Sequence, residues 1–265
     1  MNKNFKIAVL IDGDNAQPKI LKEILEEVAK YGKATIRRIY GDWTLPQMNG
    51  WKEIVNHYSF NPIQKFSYTT GKNSTDSSLI IDAMDILHEK NIDGFCIVSS
   101  DSDYTGLAKR IREQGVFVMG IGRKTTPVAF IQSCEIFTFA ENIVPEPEPV
   151  VQKERIQPSN KKQTKKEKEQ KPEQKPVKTT INTKSIDKAF EISAGEDEQV
   201  YISQMGLNLR KIDPSFDTRA FGFKTLTTLF ENLPNYEVIR KDVNGITHSL
   251  VKKKVRPMNT RNKAG

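Results

Sequence analysis

Four aspartates stand where strands of an α/β sheet would end. They are Asp12 in Ile11-Asp12-Gly13-Asp14-Asn15, Asp76 in Gly71-Lys72-Asn73-Ser74-Thr75-Asp76, and Asp101 and Asp103 in Ser99-Ser100-Asp101-Ser102-Asp103. Carboxylates gathered within a few Å repel one another, by roughly 4 kcal/mol per pair at 4 Å in an effective dielectric near 20. Such a group needs protons or a cation, and hard divalent cations prefer oxygen ligands of this kind. Each acid also has a local alternative. Asp12 could cap a following helix, a role open equally to Asp14 and Asn15; Asp101 and Asp103 could form a turn and an N-cap; Asp76 could be an acid in the first turn of a helix.

The elements that would position these residues are legible around them. Lys6 to Ile11 is almost wholly apolar and leads straight into Asp12, and Gly94 to Val98 leads through Ser99-Ser100 into Asp101. Both runs suit strands buried on two faces of a parallel sheet, whose ligand crevice lies beyond the strand carboxyl ends. Further strands are expected near 34–40, 62–67 and 116–121, with a short one at 135–139. Helical spacing joins Ile20, Leu21, Ile24, Leu25 and Val28, and again Leu79, Ile80, Ala83, Met84, Ile86 and Leu87, whose helix Ser74-Thr75-Asp76 would open. A third helix is expected from Tyr104 to Gln114, stopped by Gly115.

The 265 residues carry a net charge of +8, unevenly placed. Residues 1–150 hold 17 Lys/Arg against 19 Asp/Glu, residues 151–185 hold 11 against 4, residues 186–251 hold 7 against 10, and 252–265 hold 6 against none. Basicity belongs to a linker and a tail. From Pro145 to Thr180 the chain is Pro-, Glu- and Lys-rich with almost no apolar residue, which predicts a disordered tether. Order should return near Ser185 with helices around Ile186–Ile192, Val200–Leu209 and Lys224–Asn232, then a hairpin turning at Asn244-Gly245, which together make a small winged helix. The expected organisation is an α/β domain over 1–144, a basic linker over 145–184, a winged-helix domain over 185–255 and a basic tail over 256–265. Cys96 and Cys134 read as core residues. No apolar stretch approaches the ~18 to 20 residues of a membrane helix, and the first residues lack a signal-peptide core, so a cytoplasmic protein without membrane contact is expected.

At these motifs the first 143 residues resemble the NYN domain family, a branch of the PIN-like nucleases. The matching text is Val9-Leu10-Ile11-Asp12-Gly13-Asp14-Asn15, then Lys72-Asn73-Ser74-Thr75-Asp76 with Asp82-Ala83-Met84-Asp85, then Val98-Ser99-Ser100-Asp101-Ser102-Asp103-Tyr104. The resemblance implies a PIN-like Rossmannoid sheet and a metal-dependent ribonuclease that hydrolyses RNA phosphodiester bonds. Asp12, Asp76, Asp101 and Asp103 would be its catalytic and metal-binding set, with Mg²⁺ or Mn²⁺ bound, and Asn15 would position a phosphate or water. Gln199 to Val255 resembles the LOTUS or OST-HTH domain through Ile212-Asp213-Pro214-Ser215-Phe216-Asp217-Thr218-Arg219-Ala220-Phe221-Gly222-Phe223-Lys224-Thr225-Leu226. That module is linked to RNA or to protein partners, and any phosphate grip here would rest on Arg210, Lys211, Arg219, Lys224 and Lys252–Lys254.

In a sheet-edge arrangement Lys72, Arg123 and Lys124 are expected to meet RNA phosphates, and Trp43, Tyr68 and Tyr104 to stack on bases, Trp43 best of the three because it follows a strand end. Two other functions compete. A non-catalytic RNA-binding scaffold would keep the acids and dock partners through the C-terminal module. A phosphoryl-transfer enzyme of the haloacid dehalogenase type would use Asp12 as nucleophile and Asp14 as acid, but its downstream lysine and threonine motifs are not evident. A homodimer through either domain is compatible with the sequence.

Overall fold

The computed structural model describes residues 5–66, 74–144, 183–194, 198–243 and 245–254. The expected tether and tail lie outside these residues, as do Lys72 and Tyr68, except that Thr183 and Lys184 already belong to a helix.

The α/β domain strings together β1 (Lys6–Asp12), α1 (Leu21–Ala29), β2 (Lys33–Gly41), α2 (Asn49–His57), β3 (Asn61–Gln64), α3 (Ser74–Glu89), β4 (Gly94–Val98), α4 (Thr105–Glu113), β5 (Phe117–Gly122), α5 (Val128–Ser133), β6 (Ile136–Phe139) and α6 (Ala140–Ile143). Its strands form a parallel sheet in the order β3-β2-β1-β4-β5-β6. The order reverses between β1 and β4, and there two chain directions leave a crevice at the carboxyl-terminal rim.

The period of two along β1 decides the layers. Ile7, Val9 and Ile11 face a core built with α1, α2 and α6, including Leu21, Ile24, Val28, Trp51 and Val55. Ala8 and Leu10 face the opposite core, built with α3, α4 and α5, including Leu79, Ala83, Leu107, Ile111 and Phe130. A buried side chain of this size contributes about 2 kcal/mol. The uninterrupted apolar reading of β1 and β4 thus follows from burial on both faces. Cys96 and Cys134 are buried thiols, as expected, and burial raises the Cys134 pKa to about 12.

The C-terminal module consists of α7 (Thr183–Ser193), β7 (Gln199–Tyr201), α8 (Ile202–Ile212), α9 (Leu226–Asn232), β8 (Tyr236–Val243) and β9 (Ile246–Lys253). Its sheet is antiparallel in the order β7-β9-β8, and Ile186, Phe190, Met205, Leu209, Leu229 and Phe230 form its core. Val200 and Tyr201, expected to begin a helix, instead pair with Val251 and Leu250 of β9. The nonlocal ladder overrides the apolar spacing, and Leu207, counted to the same helical face, is exposed. The hairpin turns where expected, with Gly245 at φ +79° and Asn244 outside the described residues.

The module docks against α1 and β6. Phe137 N–H of β6 donates to the Pro214 carbonyl at 2.8 Å, and Pro214 is buried. Arg219 donates to both carboxylate oxygens of Glu27 on α1, at 2.9 and 3.1 Å, and Arg210 lies 5.8 Å over the Tyr31 ring. Among the described residues, no helix is long and apolar enough to cross a membrane.

Candidate metal centre

The rim is built from strand ends and the loops that leave them. Beyond Asp12, Gly13 N–H continues the β1–β2 ladder to the Tyr40 carbonyl at 2.8 Å, and a Cβ at Gly13 would sit 2.8 Å from that same oxygen. Glycine therefore lets the chain turn tightly against β2 and leaves the Asp12 carboxylate inward. Asp12 is fully buried. Its Oδ2 accepts from Asn15 Nδ2 at 2.7 Å and Ser99 Oγ at 2.8 Å, and its Oδ1 accepts from Asp14 N at 3.3 Å. Burial pushes its carboxyl pKa up against these hydrogen bonds, and the negative charges of Asp76 and Asp14 push it further.

Ser99 also accepts from Asp101 N at 3.1 Å, so one hydroxyl ties the end of β4 to the end of β1. Asp101 then caps the short turn Ser102–Tyr104, its Oδ1 accepting from Asp103 N at 3.0 Å. The capping alternative is thus realised for Asp101, but it occupies a single oxygen and leaves the carboxylate at the rim. Asp76 arrives from the first turn of α3. Oxygens of Asp76, Asp101 and Asp103 all lie within 4.8 Å of one another. Asp12 lies outside this set of three, coupled to it through the charge of Asp76. Asp76 accepts from the Tyr104 hydroxyl at 2.6 Å. Burial raises its carboxyl pKa, that bond lowers it, and the charges of Asp101, Asp103 and Asp14 raise it again.

Three carboxylates, one from the first turn of α3 and two from the turn after β4, suit a hard divalent cation with all-oxygen ligation. The donor set fits Mg²⁺ or Mn²⁺.

The remaining expected contacts divide. Arg123 stands at the rim, its Nη2 donating to Asn15 O at 3.4 Å and its backbone N–H to Ser100 Oγ at 2.9 Å. Asn15, Ser99, Ser100 and Arg123 line a small cavity of about 20 Å³ beside the acids. Lys124 is exposed next to it, with its N–H on the Glu141 carboxylate. Trp43 is turned into the end of the sheet, its indole N–H donating to the Ile63 carbonyl at 3.2 Å and its ring packed on the core beside α1 and α2. Tyr104 is no stacking platform, because it is fully buried and its hydroxyl is spent on Asp76. Asp82 is paired with Arg38 and accepts from the Tyr40 hydroxyl, anchoring α3 to β2. Ser99 was not among the expected site residues. Its signal was the hydroxyl immediately after a buried strand, opposite Asp12.

A family model described as the NYN domain matches residues 6–141, more than half of the chain, and one described as the OST-HTH/LOTUS domain matches residues 173–247. No curated protein matches. Among solved structures, a protein of unknown function from Vibrio parahaemolyticus is 18% identical over 53% of this chain and 95% of its own, with a TM-score of 0.45. An uncharacterized protein from Nitrosomonas europaea is 21% identical over 39% of this chain and 99% of its own, with a TM-score of 0.30.

Proposed function

This chain belongs to the NYN domain family, a branch of the PIN-like nucleases, and from that premise we propose that it is a metal-dependent ribonuclease hydrolysing RNA phosphodiester bonds. The observation that carries the proposal is the convergence of Asp76, Asp101 and Asp103 within 4.8 Å at the switch point of the sheet. Asp76, Asp101 and Asp103 would hold the ion, and Asp12, buried and held by Asp14 N–H, Asn15 and Ser99, would complete the acidic set beside them. A bound Mg²⁺ or Mn²⁺ supplies a more acidic water and stabilises charge on the phosphodiester. Tyr104 fixes Asp76 from below, so the carboxylate meets its ligand already oriented. Asn15 and Arg123 flank the rim, where a phosphate of the strand would be received. The C-terminal module adds RNA affinity.

The test is cleavage of a labelled single-stranded RNA with Mg²⁺ or Mn²⁺, with and without chelator, beside Asp12→Asn and Asp101→Asn. The expected outcome is cleavage that falls at least about a hundredfold in each variant, the upper range for groups that organise a metal, and that stops with chelator. Intact RNA in every reaction, from protein shown to be folded, would replace this reading with the non-catalytic RNA-binding scaffold.

A further inference from the structure

Residues 186–251 carry 7 Lys/Arg and 10 Asp/Glu, a balance that repels a polyanion. The cations are not evenly spread. Arg210, Arg219 and Lys224 line a cleft of about 270 Å³ between the module and the α/β domain, joined by Lys30 just after α1. Glu27 and Asp217 share the wall, and both are engaged by Arg219, with Lys30 donating to Glu27 as well. Four cations against two anions leave an excess of two positive charges facing the cleft. The Arg210 guanidinium lies over the buried Tyr31 ring, 5.8 Å from its centroid. Thr138 and Thr218 are also in the lining.

We infer that this interdomain cleft binds the phosphate backbone of single-stranded RNA, with Arg210 and Lys224 as its phosphate contacts and the Glu27–Arg219 pair as the clamp that holds its two walls together. The identity of the polyanion rests on the ribonuclease reading; the site itself rests on the charge and shape of the cleft. A space of about 270 Å³ is enough to receive a backbone phosphate between Arg210 and Lys224. The lining extends from Glu27, Lys30 and Tyr31, where the chain leaves α1 before β2, to Thr138 of β6, which is in register with Ile121 and Val98 near the carboxyl-terminal rim. A strand held in the cleft can continue past β6 toward the acids, so the cleft favours strands long enough to reach both.

The experiment is fluorescence anisotropy of a labelled single-stranded RNA long enough to reach both the cleft and the acids. It uses the full chain carrying Asp101→Asn, in chelator, across a salt series. Adding Arg210→Gln with Lys224→Gln should weaken binding about tenfold and reduce the salt slope by about 1.4, from about 0.7 per lost phosphate contact on a single strand. Lys188→Gln with Lys241→Gln removes the same charge from exposed positions away from the cleft and should leave the slope within about 0.3 of the parent. An unchanged slope in the cleft variant, or equal losses in both variants, overturns the inference while leaving the ribonuclease reading intact. A parent chain that binds no RNA at any salt overturns both. Matching thermal melts confirm that the variants are folded.

Discussion

Glu27 and Asp76 are carboxylates on helices that flank the same sheet, at opposite ends of it, and their surroundings differ in sign. Glu27 is buried and receives two bonds from Arg219 and one from Lys30. Asp76 is half-buried, receives the Tyr104 hydroxyl, and faces the charges of Asp101, Asp103 and Asp14. Burial alone therefore does not mark a working acid. What sets Asp76 apart is its approach to other carboxylates, the arrangement expected at a site that an added cation would complete. At Glu27 the protein supplies its own counter-charge and obtains a domain contact.

Neutralising each acid should separate the two kinds. Glu27→Gln keeps the shape but loses the charge-assisted bonds, so we expect a loss of about 2 kcal/mol in a thermal melt and a larger radius of gyration by small-angle scattering as the module loosens. An unchanged melt and radius would mean that the clamp holds nothing. Tyr104→Phe removes the donor to Asp76 from a site whose packing survives. The ion concentration needed to stabilise the fold, read from melting temperature against added Mn²⁺, should rise up to about tenfold. An unshifted titration would make Tyr104 a core residue and nothing more. The smallest effect belongs to Asp101→Asn in chelator. Asparagine keeps the cap to Asp103 N and relieves repulsion, so urea unfolding should show stability equal to the parent or higher by up to about 1 kcal/mol. A clear loss there would make the acids structural, like Glu27.

The layout of these acids was legible because each lies in or just after a strongly periodic segment. The Ile7-to-Ile11 run could only be a doubly buried strand, so the position of Asp12 followed from it. The approach of Asp76, Asp101 and Asp103 was an expectation about loops, and their set excludes Asp12 because Ser99 and Asn15 draw its carboxylate inward. Helix α2 was harder to see. Trp51, Ile54, Val55 and Tyr58 keep helical spacing, but Pro46, Asn49 and Gly50 ahead of them imitate a turn. Trp43 followed a strand end as an exposed aromatic would, and no local pattern reveals that its indole N–H would find Ile63 O. The domain contact was beyond the sequence altogether. Glu27 and Arg219 are 192 residues apart, and the run containing Arg219 was read as a phosphate grip, whereas the structure spends that guanidinium on Glu27 and Asp217.

The bond from Phe137 to Pro214 has a consequence for how copies of the chain meet. β6 is the last strand of its sheet, and an open last strand invites another chain to add to it. Here its N–H is taken by the carbonyl of an imino acid, which has no N–H to return and cannot extend a ladder outward. At the other margin Pro62 interrupts the donors of β3. A proline thus stands at each margin of the sheet, one capping a donor of β6 and one within β3, and strand addition is disfavoured at both.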